Sequence, residues 1–238
     1  MRLDKFIWNL GYGSRKQIHE HIKNWYIKVN FETTFEKDRK INFWDIISVW
    51  EENIEYKEFI YVVLNKPIWY VYSTRAEWWH KSYLELLKDC PYSDIINIVW
   101  RLDFDTTWLL FLTNDWELTH KIISPKKDIF KKYLVWLESE INENQIKKLE
   151  TWVKVDLWEK DSYVSKPAKV EKINEKEIFL SITEWKFHQV KNMLEAVWNK
   201  VISLKRVSIW NLETQDLEEW KWRYLSDEEV ESLRSLFS

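Results

Sequence analysis

The chain has 238 residues, long enough to bury a substantial core in one large domain or in a small one joined to a medium one. Lys and Arg total 36 against 39 Asp and Glu, a net charge of -3 that excludes a uniformly basic nucleic-acid coat, so local charge has to be read instead. One cysteine, Cys90, excludes an internal disulfide framework or a cysteine-based structural zinc site, and no run reaches the 18 apolar residues of a membrane span. The charged opening Met1-Arg2-Leu3-Asp4-Lys5 lacks the apolar stretch of a signal peptide, and the expectation is a cytoplasmic protein.

In chain order, Leu3, Phe6, Ile7 and Leu10 repeat at helical spacing, and Gly11-Tyr12-Gly13 makes a turn. Ser14-x-x-Gln17 reads as a capping box opening a second helix to about Asn24. Short strands are predicted over 26–30 and 46–49, completing a unit of residues 1–52. Within 1–28, Arg2, Lys5, Arg15, Lys16, Lys23 and Lys28 oppose only Asp4 and Glu20, a local charge of +4. The acidic stretch 53–58 is the predicted linker. From 59 to 238, strands are predicted over 60–64, 70–73, 109–113, 133–137, 178–182 and 201–207. Helices are predicted over 82–87, 117–123, 144–150, 188–197 and 227–236, the last opened by a Ser226-x-x-Glu229 box. That alternation predicts an α+β fold with a mixed sheet.

Composition holds one large anomaly: 18 Trp against 2 Gly, where average usage would give about 17 Gly. Trp25 follows Asn24, Trp116 follows Asp115, Trp44 precedes Asp45, and Trp158 and Trp220 lie among acidic residues. At such turn dipeptides the backbone reaches positive φ and glycine is expected. Reading 17 of the 18 as glycines encoded by UGA, as some bacterial lineages use that codon, raises Gly to about 8%, close to the average.

Common catalytic signatures are absent: no His-Glu-x-x-His, no Gly-x-Ser-x-Gly even with Gly at Trp, and no phosphate loop. His19 and His21, two apart, do not share a helix face, so no metal site is expected. What stands out is residues 100–116, W-R-L-D-F-D-T-T-W-L-L-F-L-T-N-D-W. With Gly at Trp it becomes G-R-L-D-F-D-T-T-G-L-L-F-L-T-N-D-G, which resembles the signature of the ribosomal pseudouridine synthases, the small-subunit rRNA branch in particular. The resemblance spans nearly the whole chain. Residues 1–7 with Ser14-Arg15 resemble an S4-type RNA-binding domain, and residues 64–74 resemble the N-K-P-x-G-Y-V-x-S-T strand. Residues 132–135, 165–168 and 184–193 follow in family order. Trp222 falls where the family admits an aromatic and is read as genuine. Trp8 falls where the family favours a small residue without requiring Gly. Phe31 stands where the S4 pattern has Gly, a departure that UGA misreading does not explain.

The resemblance implies a small N-terminal S4-type domain followed by a catalytic domain with a mixed, mainly antiparallel sheet and flanking helices. It implies isomerisation of a uridine in rRNA without cofactor or metal: the base leaves C1′ of its ribose, turns and rejoins through C5. Asp103 is then the catalytic carboxylate, either as nucleophile or in a glycal route. Tyr133 matches the tyrosine that stacks on the target base, and Lys191 matches the basic partner of the carboxylate. Arg101, His188 and Gln189 are expected to bind RNA, together with Arg2, Lys5, Arg15, Lys16, Lys23 and Lys132. Lys126, Lys127 and Lys131 are further expected phosphate contacts, while Asp105 lies in a variable stretch and carries no assigned chemistry. The expected partner is rRNA, of the small subunit or of its assembling particle, met by a monomer that binds no membrane. The alternatives are a large-subunit enzyme of the same family, and a non-catalytic RNA-binding or ribosome-assembly protein. A Trp-rich stacking module survives only if the tryptophans are real.

Overall fold

A computed structural model describes residues 1–71, 80–90, 92–124, 127–156 and 162–236. They form two units: Met1–Ile60 with Leu87–Asn97, and Tyr61–Leu86 with Ile98–Ser238.

In the first unit, α1 (Leu3–Asn9) buries Leu3, Phe6 and Ile7. The Ser14 hydroxyl accepts from the Gln17 amide while the Gln17 side chain accepts from the Ser14 amide, and this reciprocal cap opens α2 (Arg15–Lys23) over buried Ile18 and Ile22. Strands β1 (Ile27–Val29), β2 (Glu32–Thr33), β3 (Ile46–Val49) and β4 (Glu52–Glu55) follow, in the antiparallel order β2-β1-β3-β4. The stretch predicted as a linker therefore carries β4. Its residues, Glu-Asn-Ile-Glu, show no buried alternation because an edge strand is held by hydrogen bonds to its one neighbour rather than by burial. Residues 87–97 also group here, with Tyr92 6.5 Å from the Phe6 ring.

The second unit starts at β5 (Tyr61–Lys66), β6 (Tyr70–Val71) and β7 (Lys81–Ser82). The predicted helix at 82–87 is a 3-10 turn, Tyr83–Leu87. Next come β8 (Asn97–Val99), β9 (Thr106–Thr113), α3 (Trp116–Ile123), β10 (Lys131–Leu137) and α4 (Glu143–Thr151). Short β11 (Lys154–Val155) and β12 (Tyr163–Val164) precede β13 (Lys169–Lys172) and β14 (Glu177–Ile182). The chain continues through α5 (Gln189–Ala196), β15 (Val201–Ile209), β16 (Leu212–Glu213), β17 (Trp222–Tyr224) and α6 (Asp227–Ser235). The main sheet runs β13-β14-β10-β15-β9-β5-β17; on that path β15 and β9 are parallel and the other pairs antiparallel. Central β5 and β9 are unbroken apolar runs, Val62 to Leu64 and Leu109 to Leu112, because both their faces are covered. Beside them, β10 and β14 pack Val135, Ile178 and Leu180 against Leu149 of α4 and Met193 and Leu194 of α5.

Among the described residues nine tryptophans adopt positive φ: Trp25, Trp44, Trp50, Trp69, Trp100, Trp108, Trp198, Trp210 and Trp220, between +54° and +81°. For a residue with a Cβ that region costs roughly 1–2 kcal/mol, and Trp198 sits there 89% exposed, with no burial to offset it. Trp222 lies in β17 and is not among them, nor is Trp8 in α1. Trp116 departs from the turn reading. Asp115 caps α3 through the Leu118 amide, so Trp116 is the first helical residue and keeps helical φ. Trp158 lies outside the described residues. Asn30 and Phe31 link β1 to β2 with φ of +52° and +68°, the two positive values of a type I′ turn, so Phe31 takes the backbone shape that Gly would have there.

Candidate active site

The loop from Trp100 to Asp105 joins β8 to β9 and turns sharply where the Thr106 amide donates to the Asp103 carbonyl at 3.1 Å. That turn directs the Asp103 side chain, about one third exposed, toward the first turn of α5. Lys191 Nζ lies 3.3 Å from Asp103 Oδ2 and His188 Nε2 3.5 Å from the same oxygen. The positive end of the α5 dipole adds to this cationic surrounding. Asp105 is closer still to Lys191, at 2.6 Å, so one ammonium bridges two carboxylates. Asp105, read as a residue without chemistry, thus belongs to the cluster; its spacing of two from Asp103 did not show that both would converge on α5.

A recess beside Asp103 is lined by Arg101, Leu102, Thr106, Tyr133, His188, Gln189 and Lys191, and a second, which also includes Asp103, by Arg101, Phe104, Lys186, Phe187 and His188. Tyr133 reaches the first from β10 with its body buried. His188 caps α5 in the left-handed region and stacks on Phe187. Gln189 is buried rather than displayed, and its Nε2 donates to Glu184 Oε2 at 3.1 Å.

The basic residues of β10 divide by strand alternation. Lys131 is on the buried face, its Nζ donating to the Ile129 and Thr183 carbonyls, and burial holds its pKa down at about 7; it reaches no phosphate from there, contrary to expectation. Lys132 points to the opposite face from Tyr133 and pairs with Glu171 at 2.8 Å. Lys126 and residues 72–74 of the N-K-P strand lie outside the described residues. In the first unit, Arg2, Asp4, Lys5 and Arg15 line one recess, with Arg2 forked onto the Asp4 carboxylate. Lys16 and Lys23 are exposed, the latter 3.6 Å from Glu20.

Two cations that the sequence reading passed over lie under the Asp103 loop. Arg206 of β15 has no exposed surface and donates to the carbonyls of Trp100 and Leu109 at 2.8 and 3.0 Å. Lys66, at the end of β5, donates to the carbonyls of Pro67 and Tyr70 and, at 3.5 Å, of Phe104. Burial lowers the Lys66 pKa to about 8, opposed by the charges of Asp105 and Asp103. Between about 8 and its ordinary 10.5, Lys66 binds more protons unfolded than folded, so its contribution to stability rises with pH through that window and is least favourable below 8. That gap corresponds to about 3 kcal/mol. Lys66→Met is therefore expected to flatten the rise in urea-unfolding free energy between pH 8 and 10; identical slopes in the two proteins would refute the shift.

Residues 60–196 match the RNA pseudouridylate synthase family. A Bacillus subtilis uncharacterized RNA pseudouridine synthase, YtzG, is 37% identical, covering 98% of both chains. The ribosomal small subunit pseudouridine synthase A of Vibrio vulnificus is 32% identical over 98% of this chain and 99% of its own. The ribosomal large subunit pseudouridine synthase B of Bacillus subtilis is 31% identical over 99% and 96%. A crystal structure of a pseudouridylate synthase superposes with a TM-score of 0.67 at 34% identity, covering 98% of this chain and 99% of that one. The mixed sheet, the pocket around Asp103 and these full-length similarities lead to one conclusion: the chain belongs to the RNA pseudouridine synthase family.

Proposed function

We propose that the protein isomerises one uridine of small-subunit (16S) rRNA to pseudouridine, with Asp103 as the reacting carboxylate. The observation that carries this reading is the convergence of Asp103, Lys191, His188 and Tyr133 on one open recess. The C1′–N1 bond breaks, the base turns, and C1′ bonds to C5; the C5 hydrogen leaves as a proton and N1 gains one. Nothing is oxidised or reduced overall, so the chemistry asks of the protein a carboxylate at the sugar, a surface for the base and exclusion of bulk water. Asp103 supplies the first. Lys191 and His188 hold its Oδ2 at 3.3 and 3.5 Å, and Tyr133 offers a ring on which the detached base stacks. The base reaches them only when flipped out of its stack, at a cost of a few kcal/mol.

The N-terminal unit is read as an S4-type RNA-binding module whose Arg2, Lys5, Arg15, Lys16 and Lys23 contact phosphates and orient the rRNA. The Asp-x-Asp-Thr-Thr run after Leu102 and the full-length similarity to small-subunit enzymes favour 16S rRNA. The large-subunit relative at nearly equal identity makes 23S rRNA the second reading. Mapping pseudouridines in rRNA from cells with and without the gene tests both. Loss of a single 16S pseudouridine is expected; loss of a 23S one instead would transfer the assignment to the large subunit, and an unchanged map would overturn the rRNA substrate.

A further inference from the structure

Among the described residues, Arg206 is the largest side chain with no exposed surface. Burying an unpaired guanidinium is costly, so its partners have to be accounted for. Nε and Nη2 are spent on the Leu109 and Trp100 carbonyls, which lie at the start of β9's core run and at the entry to the Asp103 loop. Nη1 is buried and has no hydrogen-bond partner among the described residues. The sheet register shows what it faces: Arg206 is directly opposite Tyr133 across the antiparallel β10–β15 pair and opposite Trp108 across the parallel β15–β9 pair. Directly opposed residues share a face of the sheet. The Tyr133 hydroxyl and the Asp103 carboxylate are the anionic or polar groups that sustain the guanidinium's charge against burial. Both line the same recess.

We propose that Arg206 is a positioning residue for the isomerisation: it fixes the Asp103 loop through the Trp100 and Leu109 carbonyls and sets its charge beside the Tyr133 side chain that it faces across the β10–β15 pair. Arg206 itself reaches neither base nor sugar. Its planar fork suits this because two nitrogens in fixed geometry hold two backbone carbonyls at once while the cation stays beside the phenol, whereas a lysine ammonium would not span them. The loop that presents the carboxylate and the ring that receives the base are thereby held by one rigid group.

The inference rests on Asp103 being the reacting carboxylate, and that reading has its own test in Asp103→Asn. Arg206→Lys and Arg206→Met are assayed under single turnover by release of hydrogen from C5-labelled uridine, using rRNA from cells lacking the gene, which holds the target in either subunit. Arg206→Lys keeps the buried charge and is the variant to rely on if Arg206→Met does not fold. Its maximal rate is expected to fall by about 10- to 100-fold while half-saturating RNA stays within about threefold, the pattern of an interaction used in the transition state. In protein labelled with 13C at the tyrosine ring carbon bearing oxygen, Arg206→Lys is expected to move the Tyr133 resonance, identified by its loss in Tyr133→Phe, and to leave those of Tyr61 and Tyr92 in place. An unchanged maximal rate, a rate loss matched by weaker RNA binding, or an unmoved Tyr133 resonance would each overturn the proposal. An active Asp103→Asn would instead overturn the reading beneath it.

Discussion

Asp103→Asn is expected to lower uridine isomerisation by about 10⁴-fold or more, with RNA binding and stability nearly unchanged. A factor of that size corresponds to about 5 kcal/mol of transition-state stabilisation. An amide keeps the shape of the carboxylate, yet it neither attacks C1′ nor takes a proton from the ribose, so whichever route the reaction follows is blocked. Stability is spared for a structural reason. Removing the charge of one partner in a buried pair is usually costly because the other is left alone. Here Lys191 keeps Asp105 at 2.6 Å, and Asp103 is itself about one third exposed. Release of C5 hydrogen from labelled rRNA reads the rate, filter binding reads affinity, and thermal unfolding reads the fold. A variant that isomerises as fast as the parent would overturn Asp103 as the reacting carboxylate, whereas a parent that itself releases no C5 hydrogen would leave the chain as an RNA-binding protein that has kept the fold.

Glycine at Trp100, Trp108 and Trp185 is expected to raise isomerisation markedly above that of the sequence as it stands, and glycine at the nine positive-φ tryptophans to raise stability. Trp100 and Trp108 flank Asp103 in the chain with φ of +58° and +81°, and the Trp108 indole N–H is buried with no hydrogen-bond partner among the described residues. Trp185 projects into the recess beside Arg101. Each positive-φ tryptophan carries roughly 1–2 kcal/mol of backbone strain, less the roughly 0.5–1 kcal/mol of chain entropy that glycine adds. Over nine separated positions the net is several kcal/mol, comparable with the whole stability of an ordinary domain. Two single substitutions make the sign decisive. Trp198→Gly, at an exposed left-handed position, is expected to raise the unfolding temperature, and Trp222→Gly, in β17, to lower it. UGG at most of these sites in the gene, or a Trp198→Gly that destabilises, would refute the UGA reading.

Much of this protein was legible from local pattern. Ser14-x-x-Gln17 and Ser226-x-x-Glu229 close as capping boxes because the cap and its partner are only three residues apart, and the apolar runs of β5, β9 and β14 declare strands that are buried. The excess of tryptophan at turn positions pointed to positive φ before any coordinates, since the backbone demands of a tight turn are local too. Edge strand β4 was not legible, because its four residues, three of them polar, are recruited by β3 and by nothing in their own pattern.

The sequence by itself determined the family, through the run from Trp100 to Trp116, and with it the candidate carboxylate Asp103. Only the tertiary structure decided what surrounds that carboxylate. Sharing of Lys191 between Asp103 and Asp105, burial of Lys131 against the half-buried Lys132 on the other face, and the placing of Lys66 and Arg206 under the loop depend on strand register and on contacts between residues as many as 106 apart. Charge alone does not tell a buried cation from a solvated one: a lysine or arginine in a strand reads the same in sequence whether it faces a phosphate or a backbone carbonyl. The face of the sheet, set by pairing across the whole domain, makes that choice.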